Sequence, residues 1–352
     1  MRRFISLISA AGILLALSAC GGDPAPPPAP PTDPGPSVSA SVDPQEELIK
    51  AAQAEGKIVF YMTEPDALNS KLGAAFKARY GIDIEFLRLT STQLAERFAQ
   101  EQAAGVHLAD LLALVGSNIW EDNPEWFVNL EEANLEGWAE WPAEAKQGVC
   151  THTRYSIGGV TYNNQLVDAE HIPTSYEDFL DPWWKGKILL TDPRATPAYM
   201  GWAAMIEEKY GLEWLEAFSK QDFTLVDSAS PAAEQLAAGA AYANFGAHLS
   251  NSTDIRGKGA PLDFVIMSDV PTGLPTCEGI VASAPHPNAA KLFMQWILTY
   301  EGQNAGCQVF DAATVLKGTD CKQLPDGWKP TKLDVTRDPD RQARILSALG
   351  LQ

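Results

Sequence analysis

Residues 46–122 alternate between short apolar runs and amphipathic helices, and this alternation restricts the fold more than any other feature of the chain. The runs IVFYM (58–62), IDIEFLRL (82–89) and DLLALV (110–115) have strand length and are rich in branched or aromatic residues. Between them, 68–80 and 93–104 carry apolar residues at helical spacing. Gly81 stops the first, and Thr90-Ser91-Thr92 opens the second. A helix at 46–54, ended by Gly56, comes before, and Asn118 with Glu121 predicts a further helix start. A β-α-β-α-β order needs crossover connections, so it predicts a parallel sheet with helices on its faces.

The stretch 181–211, DPWWKGKILLTDPRATPAYMGWAAMIEEKYG, shows the same strand–turn–helix order. KILLT (187–191) is a buried-strand run that Asp192-Pro193 stops. Thr196 stands at an N-cap position and Pro197 at the first helical position, where its missing N–H costs nothing. Tyr199, Trp202, Ala203, Ile206 and Tyr210 recur at helical spacing before Gly211. The free N–H groups of this helix face back over the strand end beside Arg194, a seat suited to a carboxylate or phosphate. Residues 155–162, 223–226, 242–245 and 263–267 read as further strands. Thr174 with Glu177 caps a short helix, Ser230-Pro231 opens one that runs to Gly239, and 288–300 is another.

The N-terminus says where the chain works. MRRFISLISAAGILLALSA joins two arginines to an apolar core shorter than a membrane span and leads into Leu17-Ser18-Ala19-Cys20. It looks like a bacterial lipoprotein signal, with 1–19 the removed signal peptide and Cys20 the lipidated residue. Residues 20–44, rich in Pro and Ser, read as an extended linker to a globule that begins at 45. The net charge of −19 becomes −21 once Arg2 and Arg3 leave, which argues against nucleic acid and against a polybasic grip on lipid. The expected membrane link is the lipid alone.

Four cysteines lie beyond Cys20, so an exported chain should form two disulfides, with three pairings open. Nearness in sequence favours Cys307 with Cys321, which leaves Cys150 with Cys277. No C-x2-C or His pairing surrounds them to suggest a metal. The chain has no G-x-S-x-G, H-E-x-x-H or G-x-x-x-x-G-K motif, and no carboxylate pair is singled out by its setting. The reading is therefore not an enzyme, and it calls for no cofactor.

Taken in order, LIKAAQAEGKIVFYMTEPDALNSKLGAAFKARYGIDIEF, IGGVTYNNQLV, PTSYEDFLDPWWKGKILLTDPRATPAY and SAPHPNAAKLFMQWILTYEGQ resemble bacterial extracellular solute-binding proteins of the ferric-ion-binding-protein type, over nearly all of 46–302. The resemblance implies an α/β fold, the two-lobed type II periplasmic-binding-protein class. Each lobe is then a mostly parallel sheet flanked by helices, with hinge crossings between. It implies 45–150 with 278–352 as one lobe and 151–277 as the other, with Cys150 and Cys277 near the crossings. The function implied is that of the substrate-binding lipoprotein of an ABC importer, periplasmic or at the cell surface. Such a protein, read as a monomer, captures a small-molecule solute in the interlobe cleft and delivers it to permease and ATPase subunits.

Open α/β sheets bind ligands outside the C-terminal ends of their strands. That rule selects Thr63, Glu64, Thr90, Ser91, Thr92, Ser117, Asn118, Arg194 and Thr196. The second-lobe loop adds Phe245 and His248, the latter by its family position, and Tyr199 enters as a ring able to stack on a cation. Iron-binding members of the family hold Fe(III) with paired tyrosines after a second-lobe strand, often with a His near the first loop. The matching stretches here, ANFGAHLS (243–250) and YMTEP (61–65), contain neither, so no metal ligand is assigned. A small organic anion such as a phosphonate, phosphate ester or carboxylate is favoured. Ferric iron held by Tyr155, Tyr162 and Tyr199 is the alternative, and a sensory lipoprotein or a hydrolase ranks behind both.

Overall fold

The computed structural model describes residues 43–351 apart from Pro65 and Asp326. The expected signal peptide, the lipidated Cys20 and the linker as far as 42 lie outside these residues. The last two linker positions belong to a helix: Asp43 Oδ1 accepts from Gln45 N at 3.0 Å and Pro44 takes the first helical position, so α1 runs Pro44–Glu55.

The β-α-β-α-β order is present as β1 (Lys57–Met62), α2 (Asp66–Tyr80), β2 (Asp83–Arg88), α3 (Ser91–Ala103) and β3 (Leu111–Val115), followed by one turn, α4 (Ile119–Asp122). β1 pairs in parallel with both β2 and β3. A long strand, β4 (Thr151–Asn163), opens the second half. It is followed by β5 (Ile188–Thr191), α5 (Pro197–Tyr210), α6 (Leu212–Phe218), β6 (Thr224–Val226), α7 (Ala229–Ala237), β7 (Ala243–His248), α8 (Thr253–Gly257) and β8 (Leu262–Val265). β5 lies parallel to β6 and β7. β9 (Thr272–Ile280) returns antiparallel to β3. Then come α9 (Pro287–Ile297), α10 (Tyr300–Phe310), the short β10 (Ala313–Thr314), β11 (Lys322–Gln323) and β12 (Lys329–Pro330), and α11 (Pro339–Ala348).

The strand order is β2-β1-β3-β9-β4-β7-β5-β6. Two parallel trios therefore flank an antiparallel centre, and β4 belongs to both halves. Its residues 151–157 pair with β9, and 158–163 pair with β7 and β8. This is the expected α/β class, with the crossing strands as its non-parallel part. Each half has its own core. Phe60, Phe76, Phe293 and Trp296 fill one face of the first trio, and Leu94, Phe98, Leu114 and Trp120 the other. Tyr176, Phe179, Trp202, Phe218 and Phe245 fill the second half. Both expected disulfides form, with Cα separations of 5.6 Å for Cys150–Cys277 and 5.2 Å for Cys307–Cys321. The first ties the approach to β4 to the neighbouring β9.

The C-terminal end packs against the second half of the sheet. Val335, Ile345, Ala348 and Leu349 are buried in the second core, and Arg341 bonds Glu207 and the Ala204 carbonyl of α5. The apolar stripe of α11 is covered by α5 and α6.

Candidate functional site

The start of α5 forms as its residues dictate. Thr196 is extended and its Oγ1 accepts from Tyr199 N at 3.4 Å, while Gly211 follows the last turn at φ +83°. Thr90 caps α3 in the same way and shares a reciprocal capping box with Gln93. After β3 the chain turns at Gly116, φ +61°, and Ser117 rather than Asn118 provides the cap: its Oγ accepts from Ile119 N at 3.3 Å. The starts of α7 and of the short helix near 176 also lie beside the expected residues. The N-caps are Ser228 and Ser175, in place of Ser230 and Thr174.

The starts of α3, α4 and α5 converge on one cavity of about 380 Å³, lined by Thr90, Ser91, Thr92, Ser117, Asn118 and Thr196. Six expected site residues meet there, five from the first half and one from the second. Ala95, Glu96, Val115, Gly116, Pro197 and Ala198 complete the lining. Hydroxyls and the positive ends of two multi-turn helices face the same space, so negative charge is locally favoured despite the acidity of the whole chain.

The other six expected residues do not line this cavity. Arg194 Nε and Nη2 hold both oxygens of Asp192 at 2.8–3.2 Å, which keeps the Asp192 carboxyl below the usual range. The guanidinium is thus half of a neutral pair. The Tyr199 side chain is buried, and its hydroxyl accepts from Ala229 N at 3.4 Å, joining the starts of α5 and α7. His248 ends β7, and its backbone N–H donates to Asn251 Oδ1 at 2.7 Å. Desolvation of the ring pulls its pKa to about 4, so it is neutral at physiological pH. Thr63 Oγ1 donates to Glu64 Oε2 at 3.3 Å, and the buried Glu64 carboxylate faces Arg154 at 3.5 Å.

Phe245 is the clearest correction. It is fully buried among Tyr176, Phe179, Trp202 and Phe218, because the second core covers the face of β7 from which it projects. Phe245→Leu should lower the unfolding free energy by roughly 1–2 kcal/mol in urea denaturation and leave solute affinity of the folded protein unchanged.

Two features were missed in the sequence. One is the buried set Glu64, Arg154 and Glu278, whose only local signal was a charged residue inside each of two strands, β4 and β9. The other is Arg337, which carries no motif and reaches Asn118 only through the fold. The three tyrosines considered for iron do not come together. Tyr155 packs edge-on to Trp328, with burial pushing its phenol up, Tyr162 joins the second core, and Tyr199 packs with Ala229 and Ala247. Among the described residues no group of three His, Cys, Asp or Glu could hold a metal ion, and no helix is long and apolar enough to cross a membrane.

Residues 71–332 match the family model described as bacterial extracellular solute-binding protein. An uncharacterised protein of Haemophilus influenzae is 24% identical over 304 residues, which cover 80% of this chain and 84% of that one. The substrate binding protein of an ABC transporter from Agrobacterium tumefaciens is similar in structure, with a TM-score of 0.70 and 15% identity over 84% of this chain and 93% of its own. Iron-bound HitA from Pseudomonas aeruginosa is similar at a TM-score of 0.64 and 20% identity, covering 84% and 98% of the two chains. AfuA from Actinobacillus pleuropneumoniae, with fructose-6-phosphate bound, is similar at 0.59 and 19%, covering 82% and 93%. At these identities the solved structures share the fold.

Proposed function

The chain belongs to the bacterial extracellular solute-binding protein family, and we propose that it is the substrate-binding lipoprotein of an ABC importer, carrying a small organic anion. The observation that carries this reading is the convergence of three helix starts on one cavity supplied by both halves of the sheet. A solute seated between Ser117 and Thr196 contacts both halves only when they are closed on it, so binding favours closure. The volume suits a small solute. Free N–H groups and hydroxyls match a phosphonate, a phosphate ester or a carboxylate. Fructose-6-phosphate in AfuA is a ligand of that chemistry. Iron, as in HitA, would need hard anionic donors, and the tyrosines of this chain are dispersed.

In this proposal the first lobe is built on β1–β3 and the second on β5–β7, with 331–349 added to the second. The protein works as a non-enzymatic monomer outside the cytoplasm, held to a membrane by lipid on Cys20, and passes its solute to permease and ATPase subunits. Native mass spectrometry of freshly purified protein, followed by a thermal-shift panel, tests it. The panel contains phosphate esters, phosphonates, carboxylates, spermidine and ferric citrate. An anionic member at 100 times its Kd should add about 2.7 kcal/mol of stability. A reddish, iron-loaded preparation with a tyrosinate-to-metal absorption band overturns the proposal.

A further inference from the structure

The segment after β12 crosses from one half to the other beside the solute cavity. Lys329 and Pro330 pair with Thr272 and Gly273 of β9, and the Thr331 and Thr272 hydroxyls meet at 3.0 Å. The next two residues run between two glycines. A Cβ on Gly201 of α5 would stand 2.5 Å from the Lys332 carbonyl oxygen, and one on Gly116 would stand 2.8 Å from Leu333 Cδ1. The segment therefore touches both the loop that carries Ser117 and Asn118 and the helix that starts at Thr196. Val335 then sinks into the second core.

From this turn Arg337 reaches back to the first half. Its Nη2 lies 3.0 Å from Asp122 Oδ1 and 3.7 Å from Glu121 Oε2 on α4. Asn118, with its amide oxygen turned toward the guanidinium, accepts from Nε at 3.2 Å and Nη2 at 3.3 Å. That orientation follows from the hydrogen bonding, since the reverse would set NH2 against a cation.

We propose that Arg337 is a positioning residue for the solute cavity and a clasp between the two halves. It fixes the polarity of Asn118, so the amide's donor arm is the one turned away from the guanidinium, which suits an acceptor-rich anion and mismatches a donor-rich cation. It also ties α4 to a segment packed into the second core. The inference rests on the cavity being the solute site. Arg337, Asp122 and Glu121 are exposed, so each pair is weak alone and sensitive to salt.

The test uses the full chain as wild type, Arg337→Ala, Arg337→Lys and Asp122→Asn. Small-angle X-ray scattering of ligand-free protein reads lobe opening, and calorimetric titration with inorganic phosphate reads the cavity. Arg337→Ala should open the ligand-free protein and weaken phosphate about fivefold. Raising salt to about 1 M should open the wild type and leave Arg337→Ala unchanged. Asp122→Asn, which disturbs no core, should open it to a smaller extent. Arg337→Lys keeps the charge without the fork, so it should retain wild-type scattering while losing phosphate affinity. Scattering of Arg337→Ala and Asp122→Asn that matches wild type at low and high salt overturns the clasp. Unchanged phosphate affinity in both Arg337 variants overturns the positioning of Asn118. A wild type that binds no phosphate refutes the anion reading of the cavity instead, and the scattering still decides the clasp.

Discussion

Arg154→Met is expected to lower the unfolding free energy by about 3–5 kcal/mol. Arg154 on β4, Glu64 in the loop after β1 and Glu278 on β9 are 5%, 3% and 0% exposed. Arg154 Nη2 donates to Glu278 Oε2 at 3.1 Å, Thr153 Oγ1 donates to the same oxygen at 2.8 Å, and Nε faces Glu64 Oε1 at 3.5 Å. Two buried carboxylates thus share one cation. Methionine fills much of the arginine's space, so the loss reports uncompensated charge more than a void. Burial, helped by the Glu64 charge and opposed by Arg154, raises the Glu278 pKa above its ordinary 4.5. A raised folded pKa means that the folded chain holds the proton more tightly. Its contribution is fully present below the unfolded value and is lost as pH rises through the folded one. Glu278→Gln still accepts from Thr153 and Arg154 but does not ionise, so it should remove that decline. Urea unfolding at a series of pH values checks both variants. Equal midpoints for Arg154→Met and wild type, or Glu278→Gln and wild type sharing one pH profile, reject this account of the cluster.

The parallel order of the first trio was legible because its strand-length runs alternate with helices whose caps are explicit, as at Thr90, and Thr196 with Pro197 opens α5 in the same way. The meeting of 90–92, 117–118 and 196 at one cavity followed from the rule that strand ends carry ligands. Phe245 was not legible, because β7 is covered on both faces and ANFGAH shows no alternation to say which way a ring points. The partner of Arg194 was not legible for a local reason: Asp192, two residues back, is near enough in the turn to hold the guanidinium with both oxygens. The destination of α11 could not be read either. An amphipathic stripe says which side is buried, and any apolar surface can cover it. The Arg154–Glu278 pair spans 124 residues, so nothing local joins its two members, and only the strand order, which places β4 beside β9, makes them partners.

The sign of the solute's charge can be read from the loop that closes the cavity. Ser117→Asp keeps the cap, since Asp serves an N-cap as well as Ser, and adds one negative charge at the starts of α3, α4 and α5. Over roughly 4–8 Å at an effective dielectric near 20, that charge repels a monoanion by about 2–4 kcal/mol. The affinity of an anionic solute should therefore fall by about thirtyfold to thousandfold. Ser117→Asn, which caps without charge, should stay near wild type and separates charge from shape. Glu96→Gln removes a negative charge from the same cavity and should act in the opposite direction, more weakly, because Glu96 is exposed and screened. For a cation every sign inverts: Ser117→Asp would supply a counter-charge and Glu96→Gln would remove one. Calorimetry with the solute found by mass spectrometry decides between them, because no change of pocket shape produces opposite responses to Ser117→Asp and Glu96→Gln while leaving Ser117→Asn silent. A solute that binds more tightly to Ser117→Asp would be a cation, and the helix starts would then oppose its binding instead of driving it.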